Sequence, residues 1–352
     1  PTYLMVYCLA VASNVNKPLL QIRKLKVHIP VYGGFFSRQI GTVRAVDGLS
    51  LDLAKGEIVG LVGESGCGKT TTGRAILGLV DVTEGQVLYN DKDLAKLDDN
   101  SFRPLRKKLQ MIFQDPYGSL DPRMSVGKIL EEPLIVHGVG NKEERKQQVV
   151  NWIKRVGLNE AQLDRFPHEF SGGQRQRIAI ARSLILEPEV VIADEPVSAL
   201  DVSIQAQIIN FLQDLAADMG LTMLFIAHDI SVVHHIAHRM AVMYLGRIVE
   251  VAKGEELLSS PCHPYTYSLI SAVPQPSPRK RKKRVTLPGE PPSPLSPPVG
   301  CHLHPRCPAA IDICHKESPL LSPLPDNEEH LIACHRAGEA VDAVRDWQDQ
   351  IK

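Results

Sequence analysis

The fold is decided by the stretch IVGLVGESGCGKT, which occupies residues 58–70 of this 352-residue chain. Its last eight residues match the pattern G-x-x-x-x-G-K-S/T, and the five residues before them form an apolar run typical of a buried strand. A glycine-rich loop between a strand and a helix lets backbone N–H groups surround phosphate oxygens. The stretch therefore predicts a phosphate-binding loop, with Lys69 at the β- and γ-phosphates of a nucleotide and the Thr70 hydroxyl on Mg²⁺.

Short apolar runs recur on either side of this loop and alternate with helix-like segments. Such runs are typical of strands in a parallel sheet that is covered by helices on both faces. The sequence therefore predicts an α/β fold with strands at residues 58–62, 109–113, 190–193 and 221–227. It also predicts a helix at residues 203–219, ended by Gly220, and a charged helix within residues 141–156 that belongs to a helical insertion.

An acidic pair, Asp194 and Glu195, directly follows the apolar run at residues 190–193. A carboxylate at the end of a strand near the phosphate-binding loop can organise the Mg²⁺ shell, and a second one can orient and deprotonate attacking water. Such a pair on its own also fits a helix N-cap. Together with the phosphate-binding loop it predicts nucleotide hydrolysis.

A second helix start suited to phosphate occurs at residues 171–174, which read Ser-Gly-Gly-Gln. The chain already has one loop for the γ-phosphate, so this second start is useful if it completes a site on another subunit. The alternative interpretation is an ordinary glycine-rich helix start.

Taken in order, these motifs resemble those of the nucleotide-binding subunits of ABC transporters, over roughly residues 17–260. Gln114, the sequence Ser-Ala-Leu-Asp at residues 198–201 and His228 complete the ordered set. The resemblance implies that two such subunits close head to tail over two ATP molecules. It also implies that Gln114 senses Mg²⁺ and the membrane partner, that Glu195 is the general base, that His228 contacts the γ-phosphate and that Asp201 lies across the dimer interface.

Three further segments narrow the resemblance to the ATP-binding subunits of dipeptide and oligopeptide importers. They are residues 45–48 (AVDG), 114–123 (QDPYGSLDPR) and 263–266 (HPYT), and Cys67 in the phosphate-binding loop favours the second of that family's two ATPase subunits. The implied function is an ATPase that powers peptide import through a permease of two membrane subunits. The implied partners are a second, homologous ATPase subunit, giving a heterodimer, and a periplasmic or extracellular peptide-binding protein. The implied location is the cytoplasmic face of the bacterial inner membrane, as a peripheral subunit.

The motifs and the resemblance together assign a role to each candidate site residue. The predicted catalytic residues are Glu195 and His228. The residues predicted to contact the partner's ATP are Ser171, Gly172, Gly173 and Gln174, and Asp201 is predicted to lie at the dimer interface. The residues predicted to bind Mg²⁺ are Thr70, Gln114 and Asp194. The residues predicted to bind ATP are Gly63, Glu64, Ser65, Gly66, Cys67, Gly68, Lys69, Thr70, Thr71 and Gln114.

Four of the seven cysteines lie after residue 300, at Cys301, Cys307, Cys314 and Cys334. Zinc modules usually pair cysteines more tightly, whereas four thiolates are the ligand set of a [4Fe–4S] cluster. The spacing alone is nonspecific, and the cluster is favoured because several ATPases of the resembled family carry one in this tail. Zinc, with histidine ligands such as His302, His304 or His335, and free or disulfide-bonded cysteines remain open.

The domain organisation follows from composition. Residues 1–16 form an N-terminal extension, residues 17–260 the nucleotide-binding domain with a helical subdomain at about 115–180, and residues 261–298 a connector. Nine of the 25 residues at 274–298 are proline, and the stretch includes a basic run at 279–284, so it predicts an extended linker. The sequence predicts that this linker separates a small Cys-rich region, residues 299–352, from the α/β core.

Charge and composition exclude some function classes and leave others open. Lys and Arg total 40 and Asp and Glu total 40, which argues against nucleic acid as a partner. A non-transport ABC ATPase of DNA repair or translation is an alternative, although those proteins typically carry two cassettes or a coiled coil. An importer ATPase for nickel or glutathione is a second alternative, and a phosphate-loop kinase or GTPase is disfavoured by residues 171–174 and His228.

Overall fold

The computed structural model describes residues 17–33, 38–273 and 284–350. The predicted N-terminal extension and residues 279–283 of the basic run lie outside these ranges.

The core is an eight-stranded sheet that carries the phosphate-binding loop near its centre. Its strands, in chain order, are β3 (Ile58–Val62), β6 (Leu109–Ile112), β7 (Val190–Asp194), β8 (Thr222–Ala227), β9 (Arg239–Tyr244), β10 (Arg247–Lys253), β11 (Ser322–Leu324) and β12 (Asn327–Ile332). Their spatial order is β11-β12-β10-β9-β3-β8-β7-β6, parallel from β9 to β6 and antiparallel from β9 to β11. The four predicted strands are confirmed to within one residue at each end.

A smaller antiparallel sheet, which the sequence analysis did not predict, packs beside the first. Its strands are β1 (Leu20–Gly33), β2 (Arg38–Leu53), β4 (Glu84–Tyr89) and β5 (Lys92–Asp93), in the order β2-β1-β4-β5. One buried cluster joins Val59 and Leu61 of β3 to the apolar residues of this sheet, while Ile58 and Val62 face a second cluster that includes most of the helices. The alternation of side chains along β3 thus divides the core into two layers.

The helices connect the strands of the large sheet and fill the insertion between β6 and β7. The α-helices are Lys69–Ile76, Asp99–Phe102, Pro116–Ser119, Val126–Val136, Lys142–Arg155, Gly172–Leu184, Val202–Met219, Ile230–Ile236, Gly254–Ser259, Pro264–Ser271 and Ala340–Gln350. Short 3₁₀ helices occupy Leu94–Lys96, Arg103–Lys107, Glu160–Gln162, Pro167–Glu169, His304–Arg306 and Asp312–His315. In the part of the chain that the structure describes, none of the helices has both the length and the apolar character needed to cross a bilayer.

Both predicted helices are present, and local capping explains their ends. Asn141 caps the helix Lys142–Arg155 and forms a capping box with Glu144. The helix Val202–Met219 ends at Gly220, whose φ of 61° is easily adopted by glycine.

The prediction that the connector separates the C-terminal region from the core is wrong. Strand β12 pairs with β10, with Glu250 opposite Ile332 and Val251 opposite Leu331. Leu303 is 2% exposed and belongs to the main hydrophobic cluster. Strand β10 would otherwise leave its backbone groups unpaired at the edge of the sheet, and the tail strand pairs with them. The tail is therefore a continuation of the core sheet.

Candidate active site

The phosphate-binding loop connects β3 to the helix Lys69–Ile76, and two of its glycines lie against backbone carbonyl groups. A Cβ atom added to Gly63 would come within 2.2 Å of the Met243 oxygen, and one added to Gly68 within 2.0 Å of the Ala45 oxygen. Gly68 also has φ 110°, a conformation that side chains disfavour. The loop therefore needs glycine at both positions to pass its neighbours and begin the helix.

Lys69 is 5% exposed, and its amino group lies over this loop. Its Nζ atom donates hydrogen bonds to the carbonyl oxygens of Gly63, at 2.8 Å, and Glu64, at 3.0 Å. The Cys67 sulfur lies 3.8 Å from the same nitrogen, and burial raises the pKa of this thiol. Cys67 is thus a neutral packing residue, and Lys69 lies over the loop where the sequence analysis expects a cation for the β- and γ-phosphates.

Thr70 and Asp194 form the pair predicted to bind Mg²⁺. The Thr70 hydroxyl donates a hydrogen bond of 2.9 Å to Oδ1 of Asp194, which is 2% exposed at the end of β7. Burial raises the pKa of Asp194, and the neighbouring Glu195 carboxylate raises it further, while the bond from Thr70 lowers it. A hydroxyl and a carboxylate oxygen this close are hard ligands that suit Mg²⁺, whose charge would also keep Asp194 ionised.

Glu195 is brought together with the other two residues predicted around the reacting phosphate. Its Oε2 atom accepts a hydrogen bond of 3.0 Å from Nε2 of Gln114 and lies 3.3 Å from Nδ1 of His228. The glutamate side chain is 15% exposed and its φ is 46°, in the left-handed region that non-glycine residues seldom adopt. The backbone therefore holds this carboxylate in one place, where β6, β7 and β8 end.

The residues 171–174 form a capped helix start, as predicted. Ser171 caps the helix Gly172–Leu184: its Oγ accepts from the Gln174 N–H at 3.4 Å, and Oε1 of Gln174 accepts from the Ser171 N–H at 3.1 Å. Ser171 and Asp201 are both exposed, and so is Val202 at 82%. In the single chain, these exposed residues form a surface that a partner subunit could contact.

Comparison with known proteins agrees with this geometry. Residues 46–198 match the family described as ABC transporter, and residues 249–314 match the C-terminal region of oligopeptide/dipeptide transporters. The oligopeptide transport ATP-binding protein AppF of Bacillus subtilis is 48% identical over 327 residues, which cover 92% of this chain and 98% of AppF. The chain belongs to the ATP-binding subunits of ABC peptide transporters. It is an ATP hydrolase of that class, as its motifs predicted.

Further relatives of this ATPase subunit support the same assignment. The dipeptide transport ATP-binding protein DppF of Escherichia coli is 48% identical over 322 residues, covering 92% of this chain and 95% of DppF. Among solved structures, the dimeric ATP-binding cassette MJ0796 bound to ADP and phosphate is 29% identical with a TM-score of 0.59, covering 66% of this chain and 98% of that one. The cassette cbiO1 of Clostridium perfringens is 26% identical with a TM-score of 0.60, covering 70% and 92%. The predicted cassette fold is therefore confirmed.

One residue that contacts the phosphate-binding loop of this ATPase was missed as a site residue. Tyr265 is 1% exposed, and its hydroxyl accepts a hydrogen bond of 2.9 Å from the Glu64 N–H. Its ring lies 4.6 Å from that of Tyr244, centroid to centroid. Burial lowers the pKa of His263 to about 4, so the imidazole is neutral. Its Nδ1 atom accepts a hydrogen bond of 3.2 Å from the Tyr265 N–H and so caps the start of the helix. The HPYT segment that marked the resemblance is the signal that could have identified Tyr265.

The C-terminal region also reaches the phosphate-binding loop. Nη1 of Arg306, an 8% exposed arginine next to Cys307, lies 3.8 Å from Oε2 of Glu64. Nε of the same arginine donates to the Pro288 oxygen at 3.3 Å. Glu64 thus bonds to the HPYT segment through its backbone, and its carboxylate faces an arginine of the tail.

We expect Tyr265→Phe to raise the KM for ATP about five-fold with a smaller change in kcat. The change leaves the Glu64 N–H without its acceptor, and a lost hydrogen bond of this kind costs about 1 kcal/mol. Steady-state ATP hydrolysis by the assembled complex measures it. Tyr267→Phe, in the same helix, is the matched control, because the Tyr267 ring contacts Arg345 instead of this loop. An unchanged KM would show that Tyr265 does not position the loop.

The four tail cysteines converge and are free thiols. The Cys301 N–H donates to the Cys314 oxygen at 2.8 Å. Burial, together with the charges of the other three thiols, raises the pKa of Cys307 to about 12. Burial, together with the charges of Cys301 and Cys314, raises the pKa of Cys334 to about 11. Cys314 is buried and the other three thiols are partly exposed, so the group lies at the border between the interior and the surface.

The sulfur atoms of these cysteines are not arranged as in a closed zinc site. A tetrahedral zinc site with bonds of about 2.3 Å holds its sulfur atoms about 3.8 Å apart. Among the described residues, no three of these sulfurs all lie within 4.8 Å of one another.

Proposed function

We propose that this chain is one of two ATPase subunits of a bacterial importer for dipeptides or oligopeptides. Its hydrolysis of ATP powers passage of the peptide through a permease of two membrane subunits, and a binding protein outside the membrane delivers the peptide. The observation that carries the proposal is the match at residues 249–314, because this peptide-transporter region supplies Tyr265 to the phosphate-binding loop. The two relatives described above are named for oligopeptide and dipeptide transport.

The residues of the site divide between the chain's own ATP and that of a partner. Residues 63–71 and Gln114 bind ATP, Thr70 and Asp194 bind Mg²⁺ with Gln114, and Glu195 and His228 act at the γ-phosphate. Residues 171–174 and Asp201 contribute to the ATP site of the second ATPase subunit, and the exposure of Ser171 and Asp201 supports that role. Because both subunits carry the motifs, two ATP molecules bind between them, at the cytoplasmic face of the inner membrane.

In hydrolysis, the chain's own groups position ATP and activate water. Lys69 and the loop N–H groups neutralise the phosphates, and Mg²⁺ held by Thr70, Asp194 and Gln114 would supply further positive charge. Glu195 takes a proton from the attacking water, since its carboxylate is fixed beside Gln114 and His228. Gln114 links this carboxylate to the insertion that follows β6, which is where we place contact with the permease.

Purification of the chain from its own cells under mild detergent tests the proposal. We expect two permease proteins and a second ATPase subunit to be recovered with it, and we expect added peptide-loaded binding protein to stimulate ATP hydrolysis several-fold. Recovery of nucleic acid without a permease would instead support a repair or translation ATPase. Stimulation by a nickel- or glutathione-loaded binding protein, and not by a peptide-loaded one, would contradict the peptide cargo.

We further propose that Cys301, Cys307, Cys314 and Cys334 hold a [4Fe–4S] cluster. The proximity of the four free thiols, each of which acts on the pKa of Cys307 or is Cys307 itself, supports it. The cluster would supply four bonds that join the tail segments, and no step of ATP hydrolysis passes through it. A small proline-rich tail gains stability from such a link.

Anaerobically purified protein is therefore expected to be brown and to contain about four irons per chain. Cys307→Ser should remove the iron and the visible absorption, whereas Cys262→Ser, outside this group, should keep both. If the protein instead contained no iron and one zinc per chain, and Cys307→Ser lost that zinc, the four cysteines would form a zinc site.

A further inference from the structure

Three side chains of the types that bind zinc meet at the junction between the core sheet and the tail. Glu250 lies in β10, Cys262 in the loop before the helix Pro264–Ser271, and His330 in β12. A carboxylate oxygen, the sulfur and a ring nitrogen all lie within 4.8 Å of one another. Glu250 is 0% exposed and His330 is 1% exposed, while Cys262 is partly exposed.

The carboxylate of Glu250 is held in place by the backbone. Its Oε1 accepts from the Cys262 N–H at 2.7 Å, and its Oε2 accepts from the His263 N–H at 3.1 Å. Nε2 of His330 lies 2.8 Å from Oε1 of the same carboxylate. A carboxylate anchored by two amides is preorganised, and a cation between the oxygen and the imidazole would need only a small separation of the two.

The other ring nitrogen of His330 has the partner that metal-binding histidines typically have. Nδ1 lies 3.1 Å from Oε1 of Glu256, and that oxygen also accepts from Nδ2 of Asn327 at 2.6 Å. Once a metal displaces the Nε2 proton, the carboxylate on Nδ1 retains the Nδ1 proton, leaves the Nε2 lone pair for the metal and makes the imidazole a better ligand. The ring is thus oriented with Nε2 towards Glu250 and Cys262.

We propose that Glu250, Cys262 and His330 bind one zinc ion. A sulfur, a nitrogen and an oxygen ligand form a set that zinc accepts in tetrahedral geometry, with water from the exposed side of Cys262 in the fourth position. On binding, zinc replaces the thiol proton of Cys262 and the proton shared between His330 and Glu250, and both protons go to solvent. This site is separate from the four tail cysteines.

Bound zinc would join three segments that are distant in the sequence. One is the edge strand β10, another is the tail strand β12, and the third is the loop that begins the helix of Tyr265. Because Tyr265 contacts the phosphate-binding loop, the metal would stabilise the attachment of the tail beside the ATP site. A metal that binds the folded chain raises its thermal stability with metal concentration.

Metal counting and cobalt spectroscopy on the full chain test the site. The chain is stripped with chelator and titrated with Zn²⁺ or Co²⁺. We expect wild type to bind one more equivalent than Cys262→Ser, and Co²⁺ to give a thiolate charge-transfer band and tetrahedral d–d bands that Cys262→Ser lacks. Zn²⁺ should raise the melting temperature of wild type more than that of this variant.

Two variants separate this site from the tail cysteines. His330→Gln should lower zinc affinity at least ten-fold, and Cys334→Ser, the matched control, should keep the equivalent that Cys262→Ser loses. Should His330→Gln fail to fold, Cys262→Ser still decides the matter, because its partly exposed position tolerates serine. Equal zinc content and equal cobalt spectra in wild type and Cys262→Ser would overturn the proposal.

Discussion

Glu195→Gln is expected to lower steady-state ATP hydrolysis by about 10²–10⁴-fold while ATP still binds. The amide keeps the shape of the side chain and its contacts with Gln114 and His228, which lie 3.0 and 3.3 Å from Oε2. It lacks the basic oxygen that takes a proton from water. Single-turnover and steady-state hydrolysis by the assembled complex, with nucleotide binding measured in parallel, check the expectation.

Glu255→Gln is the matched control for this change, because Glu255 is exposed and begins a helix in another part of the chain. It should hydrolyse ATP at the wild-type rate. If Glu195→Gln kept more than about a tenth of the wild-type turnover, Glu195 would not be the general base, since such a base contributes at least 10²-fold.

Lys69→Ala is expected to lose ATP binding itself, with Kd rising about 10- to 150-fold. The change removes the cation that the loop holds for the β- and γ-phosphates, and a hydrogen bond to a charged group contributes roughly 1.5–3 kcal/mol. Equilibrium titration of the purified chain with ATP measures it. Circular dichroism confirms folding, because Lys69 also bonds two loop carbonyls.

Lys55→Ala serves as the control for Lys69→Ala. Lys55 is an exposed lysine in the turn before β3, so its loss should leave Kd unchanged. Normal ATP affinity in Lys69→Ala would show that the loop binds phosphate by its backbone alone.

The parts of the fold that the sequence predicted are those encoded by local pattern. An unbroken apolar run such as Ile58–Val62 needs no partner strand to be recognised as buried, and the glycine pattern after it fixes a loop. The resemblance to ABC ATPases implied the roles of Glu195, Gln114 and His228, and the three residues meet because parallel strands bring their ends to one edge of the sheet.

The parts that the sequence analysis missed depend on distant pairing. Strand β12 joins β10 across about 80 residues, and its short, half-polar sequence resembles a loop. Long strands with irregular alternation, such as Leu20–Gly33 and Arg38–Leu53, show register shifts that blur the two-residue period. Tyr265 and Arg306 reach Glu64 from a region whose composition indicated a linker and a separate tail. Composition predicts whether a segment can form its own core, and it does not report which existing core the segment joins.

Peptide uptake into proteoliposomes that contain the complete transporter tests the central claim most directly. ATP is placed on the side of this chain and a labelled short peptide, with its binding protein, on the other. We predict that uptake requires ATP, is lost when this chain carries Glu195→Gln, and continues with Glu255→Gln. Uptake at the wild-type rate with Glu195→Gln, or ATP hydrolysis by the wild-type complex without any movement of peptide, would contradict the claim that hydrolysis at Glu195 drives peptide import.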